Sequence, residues 1–264
     1  MDYKVYPFFK SQYSIGRSVL SLEKPSEKPE IFAKDGVSNP DSIFSILQRE
    51  NMDEFFLIED SMSGFLKACL NAKELKKKLR FGLRLTILDN VNDKTPESLK
   101  KESKVVIFAK NILGYKELIK LWSRAAQDGF YYIPRADCNI LAGLNLDTLK
   151  LVVPFYDSFI HKNNFELGQC LPDFLSKFKE VNFSIEDNDT PIDDTLKSMV
   201  KDFTRDNGFK TINTKSIYYT KRADFLAYLT FRAIHNRSLL SKPELDGLCS
   251  EEFCFESWKE TNVI

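Results

Sequence analysis

The stretch KVVIFAKNILGYKELIKLWSRAAQDGFYYIPRAD, residues 104–137, decides how the chain is interpreted. It begins with a short apolar run at 105–108, which is typical of a buried strand. After a turn at 111–114, apolar residues recur at spacings of three and four, which predicts a helix. The inner face of that helix would carry Tyr115, Leu118, Ile119, Trp122 and Ala126. Strand, turn and helix in this order form the repeating unit of an α/β fold.

The same alternation continues on both sides of this unit. Strands alternating with helices predict parallel strands joined by right-handed crossovers. At 264 residues a closed barrel is favoured over an open sheet. We therefore predict one α/β domain spanning 1–264, with a loop excursion at 21–40. A C-terminal tail, 240–264, is expected to pack on or beside the barrel.

The charge balance argues against a generic nucleic-acid binder. The chain has 38 basic and 38 acidic residues, which gives a net charge of zero. A protein held by phosphate neutralisation needs a surplus of cations. A net charge of zero is compatible with a local basic patch, so the charge balance does not decide whether the chain contacts DNA directly. No glycine-rich phosphate loop occurs, which argues against nucleotide binding of that kind.

The cysteines predict an intracellular protein. The five of them (Cys69, Cys138, Cys170, Cys249 and Cys254) are widely spaced and include no C-x-x-C, so we expect reduced thiols in the core. The N-terminal residues contain no apolar signal segment. No apolar run reaches the roughly 18 residues of a membrane span. We therefore expect a cytoplasmic protein that contacts no membrane.

Several segments resemble the PHP (polymerase and histidinol phosphatase) domain of bacterial DNA polymerase III alpha subunits. The quoted stretch contributes A-K-N-x-x-G-Y and G-F-Y-Y-x-P-R-x-D. The other matching segments are KSQYSIGRS at 10–18, FFLIEDSMSGF at 55–65, RFGLRLTI at 80–87, VNFSIE at 181–186, NTKSIYYTKRADFLAYLTFRAIHNRS at 213–238 and EEFCFESWKE at 251–260. Together with the quoted stretch they come in the family's order and cover nearly the whole chain. The resemblance implies a distorted (β/α)7 barrel.

The resemblance also implies a cluster of two or three metal ions at the barrel mouth, held by His, Asp, Glu and sometimes Cys. Matched motif by motif, the family's ligand positions fall on Phe8, Lys10, Asp60, Ser61, Arg84, Ser216 and Tyr218. Only Asp60 keeps a ligand type. One carboxylate does not hold a multinuclear site, so we expect no metal and no other cofactor.

Two of these replacements are cations, which leads to two alternative hypotheses. In the first, Lys10 and Arg84 lie beside Asp60 at the C-terminal barrel mouth and form an ion-paired plug. In the second, Lys10, Arg17 and Arg84 form a site for an anion such as phosphate. A shift in register would instead leave these side chains in solvent. His161, in a polar turn, and His235, late in a helix, lack a second histidine at ligand spacing, so we expect neither to bind metal.

The resemblance implies a function in DNA replication. In the polymerase family this domain organises the enzyme and offers a docking surface for the proofreading exonuclease. Because the metal ligands are missing, we expect a catalytically inactive, stand-alone interaction module of a replication polymerase or its accessory complex, as would suit a phage or a compact genome. Its expected partner is a DNA polymerase, an exonuclease or another replication protein.

Two other functions remain open. The chain would be a metal-dependent phosphoesterase or 3'-5' exonuclease if remnant carboxylates were sufficient for catalysis. The candidates are Asp60, Glu186, Asp187, Asp189 and Asp224. An unrelated α/β barrel that binds a small anionic ligand is the third possibility.

Overall fold

A computed structural model describes residues 3–10, 42–237 and 250–262. Its strands are β1 (Tyr6–Lys10), β2 (Glu54–Glu59), β3 (Lys78–Ile87), β4 (Ser103–Ala109), β5 (Arg135–Ala136), β6 (Leu149–Val153), β7 (Val181–Ile185) and β8 (Lys210–Ile217). Seven of them follow one another in the order β2, β1, β8, β7, β6, β4 and β3. Pairing of β3 with β2 closes this ring into a barrel, and β5 adds to β3 outside it.

Helices surround the barrel. They are α1 (Ile43–Arg49), α2 (Phe65–Glu74), α3 (Ile112–Gln127), α4 (Cys138–Leu141), α5 (Phe159–Phe165), α6 (Asp193–Asn207), α7 (Phe225–Asn236) and α8 (Phe255–Asn262). Side-chain caps begin several of them; for example, the Asn111 carboxamide oxygen accepts from the backbone N–H groups of Leu113 and Gly114. Gly208 ends α6 in the left-handed conformation, at φ 71°. No described helix is both long and apolar enough to cross a membrane.

The prediction of an all-parallel sheet is wrong for strand β4. It runs antiparallel to both of its neighbours, β3 and β6, whereas the other neighbours in the ring are parallel. The connection between β3 and β4 holds one 3-10 helix, Pro96–Lys101, and no α-helix that could carry the chain back across the sheet. Without such a crossover the chain returns from the end at which it left, so β4 must run in the opposite direction.

The predicted inner face of α3 is partly wrong. Leu118 is buried as predicted, but Ile119 is 42% exposed, and the other buried positions are Gly114, Glu117, Leu121 and Ala125. The buried face of α3 is thus rotated about the helix axis relative to the predicted face. Gly114 explains this rotation, because a Cβ there would lie 2.3 Å from the Thr148 carbonyl oxygen. Helix α3 therefore packs closely against the backbone of Thr148 at the position of Gly114. The prediction of buried cysteines is also wrong for Cys69, which is exposed.

The interior of the barrel is filled by apolar side chains. Five strands contribute to one cluster, which consists of Tyr6, Phe8, Phe56, Ile58, Val106, Phe108, Val152 and Ile212. On β3, Gly82 makes room for it, since a Cβ there would lie 2.8 Å from the Phe108 ring. The alternate residues of the strands face outward and pack against the helices in a larger, separate core. The barrel therefore has a filled interior and no pore.

A buried arginine anchors the connection between β3 and β4. Arg135 is fully buried and donates five hydrogen bonds. Their acceptors are the carbonyl oxygens of Gly129, Val91 and Asp93, Ser98 Oγ and Glu102 Oε1, at 3.0 to 3.1 Å. Because β5 pairs with the end of β3 at Thr86, this hub lies at the carboxyl end of the parallel strands.

Helix α8 packs against the first strand. The Trp258 indole donates to the Val5 carbonyl oxygen at 2.8 Å, and the Phe255 ring stacks on Phe9 with centroids 6.1 Å apart. These contacts hold residues 255–262 against β1. The predicted excursion at 21–40 and the first part of the predicted tail, 240–249, lie outside the described residues.

Candidate functional site at the barrel mouth

Polar side chains form a layer above the apolar interior, at the carboxyl end of the parallel strands. Alternate residues of a strand face the same side of a sheet, so the residue two positions from an interior side chain continues the interior. Lys10 follows Phe8 in this way, and Arg84 follows Gly82. The layer consists of Lys10, Asp60, Arg84, Lys104, Glu186 and Ser216, which we call the mouth layer. At this end of a β/α barrel, side chains from several strands converge on one site.

Arg84 is the centre of this layer. Its Nη1 lies 3.2 Å from Asp60 Oδ1, and its Nη2 donates to Asp157 Oδ2. Burial lowers the pKa of Arg84, but Asp157 and Asp60 outweigh burial and raise that pKa above its ordinary value. Arg84 therefore stays charged and holds two carboxylates, one on each side of β3.

Asp157 is a member of the site that the sequence analysis missed. It follows β6 and stands at φ 59°, a left-handed conformation that aspartate tolerates. Its carbonyl oxygen accepts from the backbone N–H of Lys104 at 2.8 Å, while its carboxylate binds Arg84. Burial raises the pKa of Asp157, but Arg84 and His161 lower it below its ordinary value. Its place just beyond the carboxyl end of a barrel strand is the signal that would have identified it.

Lys10 lies in the mouth layer but pairs differently from Arg84. Within the described part of the chain its ammonium forms no ion pair. Burial, followed by repulsion from Arg84, lowers the pKa of Lys10 to about 8, although Glu186, Asp60 and Asp157 act in the opposite direction. Of the two cations in the ion-paired plug hypothesis, Arg84 contacts Asp60 directly. Lys10 acts on the carboxylates only through longer-range attraction.

Glu186 accepts hydrogen bonds from neutral groups. Its carboxylate receives the Ser216 backbone N–H at 3.0 Å, the Ser216 hydroxyl at 2.7 Å and the Asn188 side-chain N–H at 3.0 Å. Asn188 is fully buried and also donates to Tyr156 Oη, which donates in turn to Asp193. This network joins the mouth layer to the first turn of α6 and fixes the Glu186 carboxylate.

The other predicted site residues have structural contacts of their own. Phe8 is buried in the apolar interior, opposite Ser216 on the neighbouring strand. Tyr218 packs on the rings of Tyr228 and Phe253, and burial raises its pKa to about 12. Ser61 shares a hydroxyl–hydroxyl hydrogen bond of 2.7 Å with Ser63. Arg17, named in the anion-site hypothesis, lies outside the described residues.

The charges of the mouth are balanced among the residues that the structure describes. Lys104, which enters from the reversed strand β4, donates from Nζ to Thr86 Oγ1 at 2.7 Å. The cations are Lys10, Arg84 and Lys104, and the carboxylates are those of Asp60, Asp157 and Glu186. Both terminal nitrogens of Arg84 already bind carboxylates, so an anion bound there would compete with them.

The side chains at the family's ligand positions do not fit a multinuclear metal cluster. Lys10 and Arg84 bring positive charge to the point where metal ions need anionic or neutral donors. Phe8 offers no donor atom, and the phenol of Tyr218 stays protonated at neutral pH because burial raises its pKa. We therefore derive no chemical step through metal ions at these positions.

The remnant carboxylates do not gather around Asp60. Asp187 is exposed and pairs with Lys197 on α6 at 3.1 Å. Asp224 caps a 3-10 helix by accepting the backbone N–H of Lys221. Asp189 is exposed in the loop before α6. Of the five candidates, Asp60 and Glu186 belong to the mouth layer.

A closed ring of seven strands with helices outside, and a polar layer at the carboxyl ends of the strands, defines a protein of the (β/α)7 barrel class. The family model for the PHP domain matches residues 30–215, more than two thirds of the chain. The chain belongs to the PHP domain family. Both the predicted fold and the predicted family are confirmed.

Three curated relatives are DNA polymerase III alpha subunits. The chain is 27% identical to that of Thermus aquaticus over 165 residues, which cover 61% of this chain and 14% of the relative. It is 26% identical to that of Aquifex aeolicus over 175 residues, covering 62% and 14%. The subunit of Borreliella burgdorferi is 32% identical over 111 residues, covering 39% and 9%. The chain thus spans about one seventh or less of these relatives.

Proposed function

We propose that this chain is a catalytically silent PHP domain that acts as an interaction module in DNA replication. The observation that carries the proposal is the Arg84 guanidinium, which binds Asp60 and Asp157 at the position that the family's motif gives to a metal-ligating glutamate. A guanidinium supplies the positive charge that bound ions would otherwise bring to these carboxylates. We keep 1–264 as a single domain in this proposal.

The relatives support the replication context. All three are alpha subunits of a DNA polymerase, and each matches this chain over a small part of its own length. A domain of this family can contribute to replication through contacts with other proteins. We therefore propose a replication polymerase or a proofreading exonuclease as its partner, in the cytoplasm.

The alternative is a phosphoesterase or 3'-5' exonuclease with a reduced metal site. Asp60, Asp157 and Glu186 are three carboxylates at one barrel mouth, and this arrangement is the observation that favours it. In the structure each of them already has a cation or several hydrogen-bond donors as partners. Catalysis would require an ion to compete with Arg84 for two of the three.

Hydrolysis assays separate the two functions. The full chain is incubated with single-stranded DNA or bis(p-nitrophenyl) phosphate in the presence of Mg²⁺, Mn²⁺ or Zn²⁺. We expect no turnover above that of the metal alone. Turnover that disappears in both Asp60→Asn and Glu186→Gln, but persists in the exposed control Asp187→Asn, would overturn the silent assignment.

The proposed binding to replication proteins is tested by a separate measurement. The chain is mixed with the purified replicative polymerase and proofreading exonuclease of the organism in which it functions, and complexes are measured by size-exclusion chromatography with light scattering. A stoichiometric complex with either protein is expected. Failure to bind both would refute the proposed role as a replication module.

A further inference from the structure

Three potential metal ligands meet beside the mouth, on the segment from 157 to 166. Asp157 precedes α5, His161 lies in the first turn of that helix, and Glu166 follows its last residue. One ligand atom from each lies within 4.8 Å of the other two. None of the three is among the positions that were matched above to the family's ligands. The sequence analysis placed His161 in a polar turn, which is wrong because it lies in α5.

The imidazole of His161 is held in place but lacks a hydrogen bond. Its ring stacks on Phe165 with centroids 5.6 Å apart and meets the Tyr156 ring edge-on at 6.3 Å. Its Nδ1 is buried and makes no hydrogen bond, and Glu166 Oε1 lies 3.2 Å away. A buried nitrogen without a partner is costly, and a metal ion would satisfy it.

Both carboxylates are oriented by a cation. Arg84 binds Asp157 Oδ2, and Lys162 Nζ lies 3.3 Å from Glu166 Oε2, so that Oε1 of Glu166 is left facing His161. Outer partners of this kind hold ligating carboxylates in position at metal sites. The same cations compete with an ion by repulsion, and this lowers the affinity of the site.

We propose that Asp157, His161 and Glu166 bind one divalent transition-metal ion, with Zn²⁺ as the first choice. One imidazole nitrogen and two carboxylate oxygens are ligands that Zn²⁺ accepts, at about 2.0–2.2 Å, with a fourth position for water. Tetrahedral bonds of that length separate ligand atoms by about 3.4 Å. The more widely separated ligand atoms must therefore approach by up to about 1.4 Å, for which the exposed side chain of Glu166 is suited.

This site shares Asp157 with the Arg84 contact that supports the proposed function, but the two proposals are tested by different measurements. It lies on the rim, outside the mouth layer, and its occupation requires no hydrolytic activity. Hydrolysis assays test the silent assignment, whereas the metal site is tested by binding alone. The two proposals can therefore fail separately.

The test is a titration of the metal-stripped full chain with Zn²⁺ in a calorimeter, together with the visible spectrum after addition of Co²⁺. We expect one Zn²⁺ per chain and the absorption of tetrahedral Co²⁺. His161→Ala and Glu166→Gln should each lower the affinity by more than the roughly 10–100-fold that loss of an outer partner costs. Because Glu166 is exposed, its variant should fold even if His161→Ala does not.

Two controls make the result specific. His235→Ala removes the other histidine of the chain, and Asp187→Asn removes an exposed carboxylate that pairs with Lys197. Both should bind Zn²⁺ like the wild type. Absence of Zn²⁺ binding by the wild type would overturn the proposal, as would binding of undiminished affinity in folded Glu166→Gln.

Discussion

Arg84 Nη1, on β3, donates to Asp60 Oδ1, just beyond β2, across 3.2 Å. The parallel register of the two strands, in which Glu59 lies opposite Leu83, brings the two side chains together. The second terminal nitrogen of the same guanidinium reaches Asp157 after β6. One side chain thus connects two separate strand ends of the barrel, and its removal should weaken the packing at both.

Replacing Arg84 by Met should destabilise the protein by about 1–3 kcal/mol, because the partly buried Asp157 and the exposed Asp60 both lose their partner. The measurement is urea unfolding at pH 7. Asp157→Asn in the same chain removes one of the orphaned charges, so the double variant should recover part of the loss. Arg205→Met, at an exposed arginine on α6, is the control and should change stability by less than about 0.5 kcal/mol. A loss in Arg84→Met no larger than that of the control would contradict the prediction.

Replacing Lys10 by Met should stabilise the protein at neutral pH, by on the order of 1–2 kcal/mol. The folded pKa of Lys10 is lowered to about 8, from 10.5. Between these values the unfolded chain binds more protons than the folded one, so the wild type gains stability as the pH rises from 8 to 10.5. The advantage of Lys10→Met should therefore be largest below pH 8 and fade toward pH 10.5.

Thermal unfolding of both proteins across pH 6.5–10.5 measures this change in advantage. Lys179→Met, at an exposed lysine that pairs with Asp147, serves as the control and should give no such trend. An offset between Lys10→Met and wild type that stays constant over the whole range would show that Lys10 does not titrate as described.

Replacing Arg135 by Lys should cost about 3–5 kcal/mol, although the charge is kept. An ammonium has three donors and no planar fork, so it leaves several of the five acceptors without a partner. Chemical denaturation measures the loss, and Arg205→Lys is the exposed control. Equal stability of the two variants would mean that the hydrogen bonds of Arg135 contribute little.

Restoring the family's ligands should restore a metal site. The combined variant carries Phe8→His, Lys10→His, Ser61→His, Arg84→Glu, Ser216→Asp and Tyr218→His. If these are the right positions, the variant should bind at least two Mn²⁺ or Zn²⁺ ions more than the wild type, as measured by metal analysis after dialysis. A matched set of His, Asp and Glu substitutions at exposed surface positions should bind no more ions than the wild type. Unchanged metal content in a folded variant would show that the register is wrong.

The sequence was sufficient for the barrel and for the strands that supply the mouth. Lys10 and Ser216 lie at strand ends and Arg84 lies within β3, at positions that the family motifs identify. Lys104 was missed because β4 runs in the opposite direction, so the start of that strand, and not its end, reaches the mouth. Pairing direction depends on contacts between distant segments, and local periodicity carries no information about it. The rotation of α3 likewise depends on the close approach of Gly114 to Thr148, which no local sequence pattern predicts.

The reversal of β4 has a consequence for how this barrel can diversify. The connection at 88–102 leaves and returns at the same end, so it borders the mouth without belonging to the ring of strands. Arg135 ties it to the β5 segment through backbone carbonyls, which any sequence provides, and through two side chains, Ser98 and Glu102. Insertions between these anchor points would reshape the entrance while the hydrogen bonds of the barrel stay intact. New binding specificity can therefore evolve in this connection with little effect on the folding of the barrel.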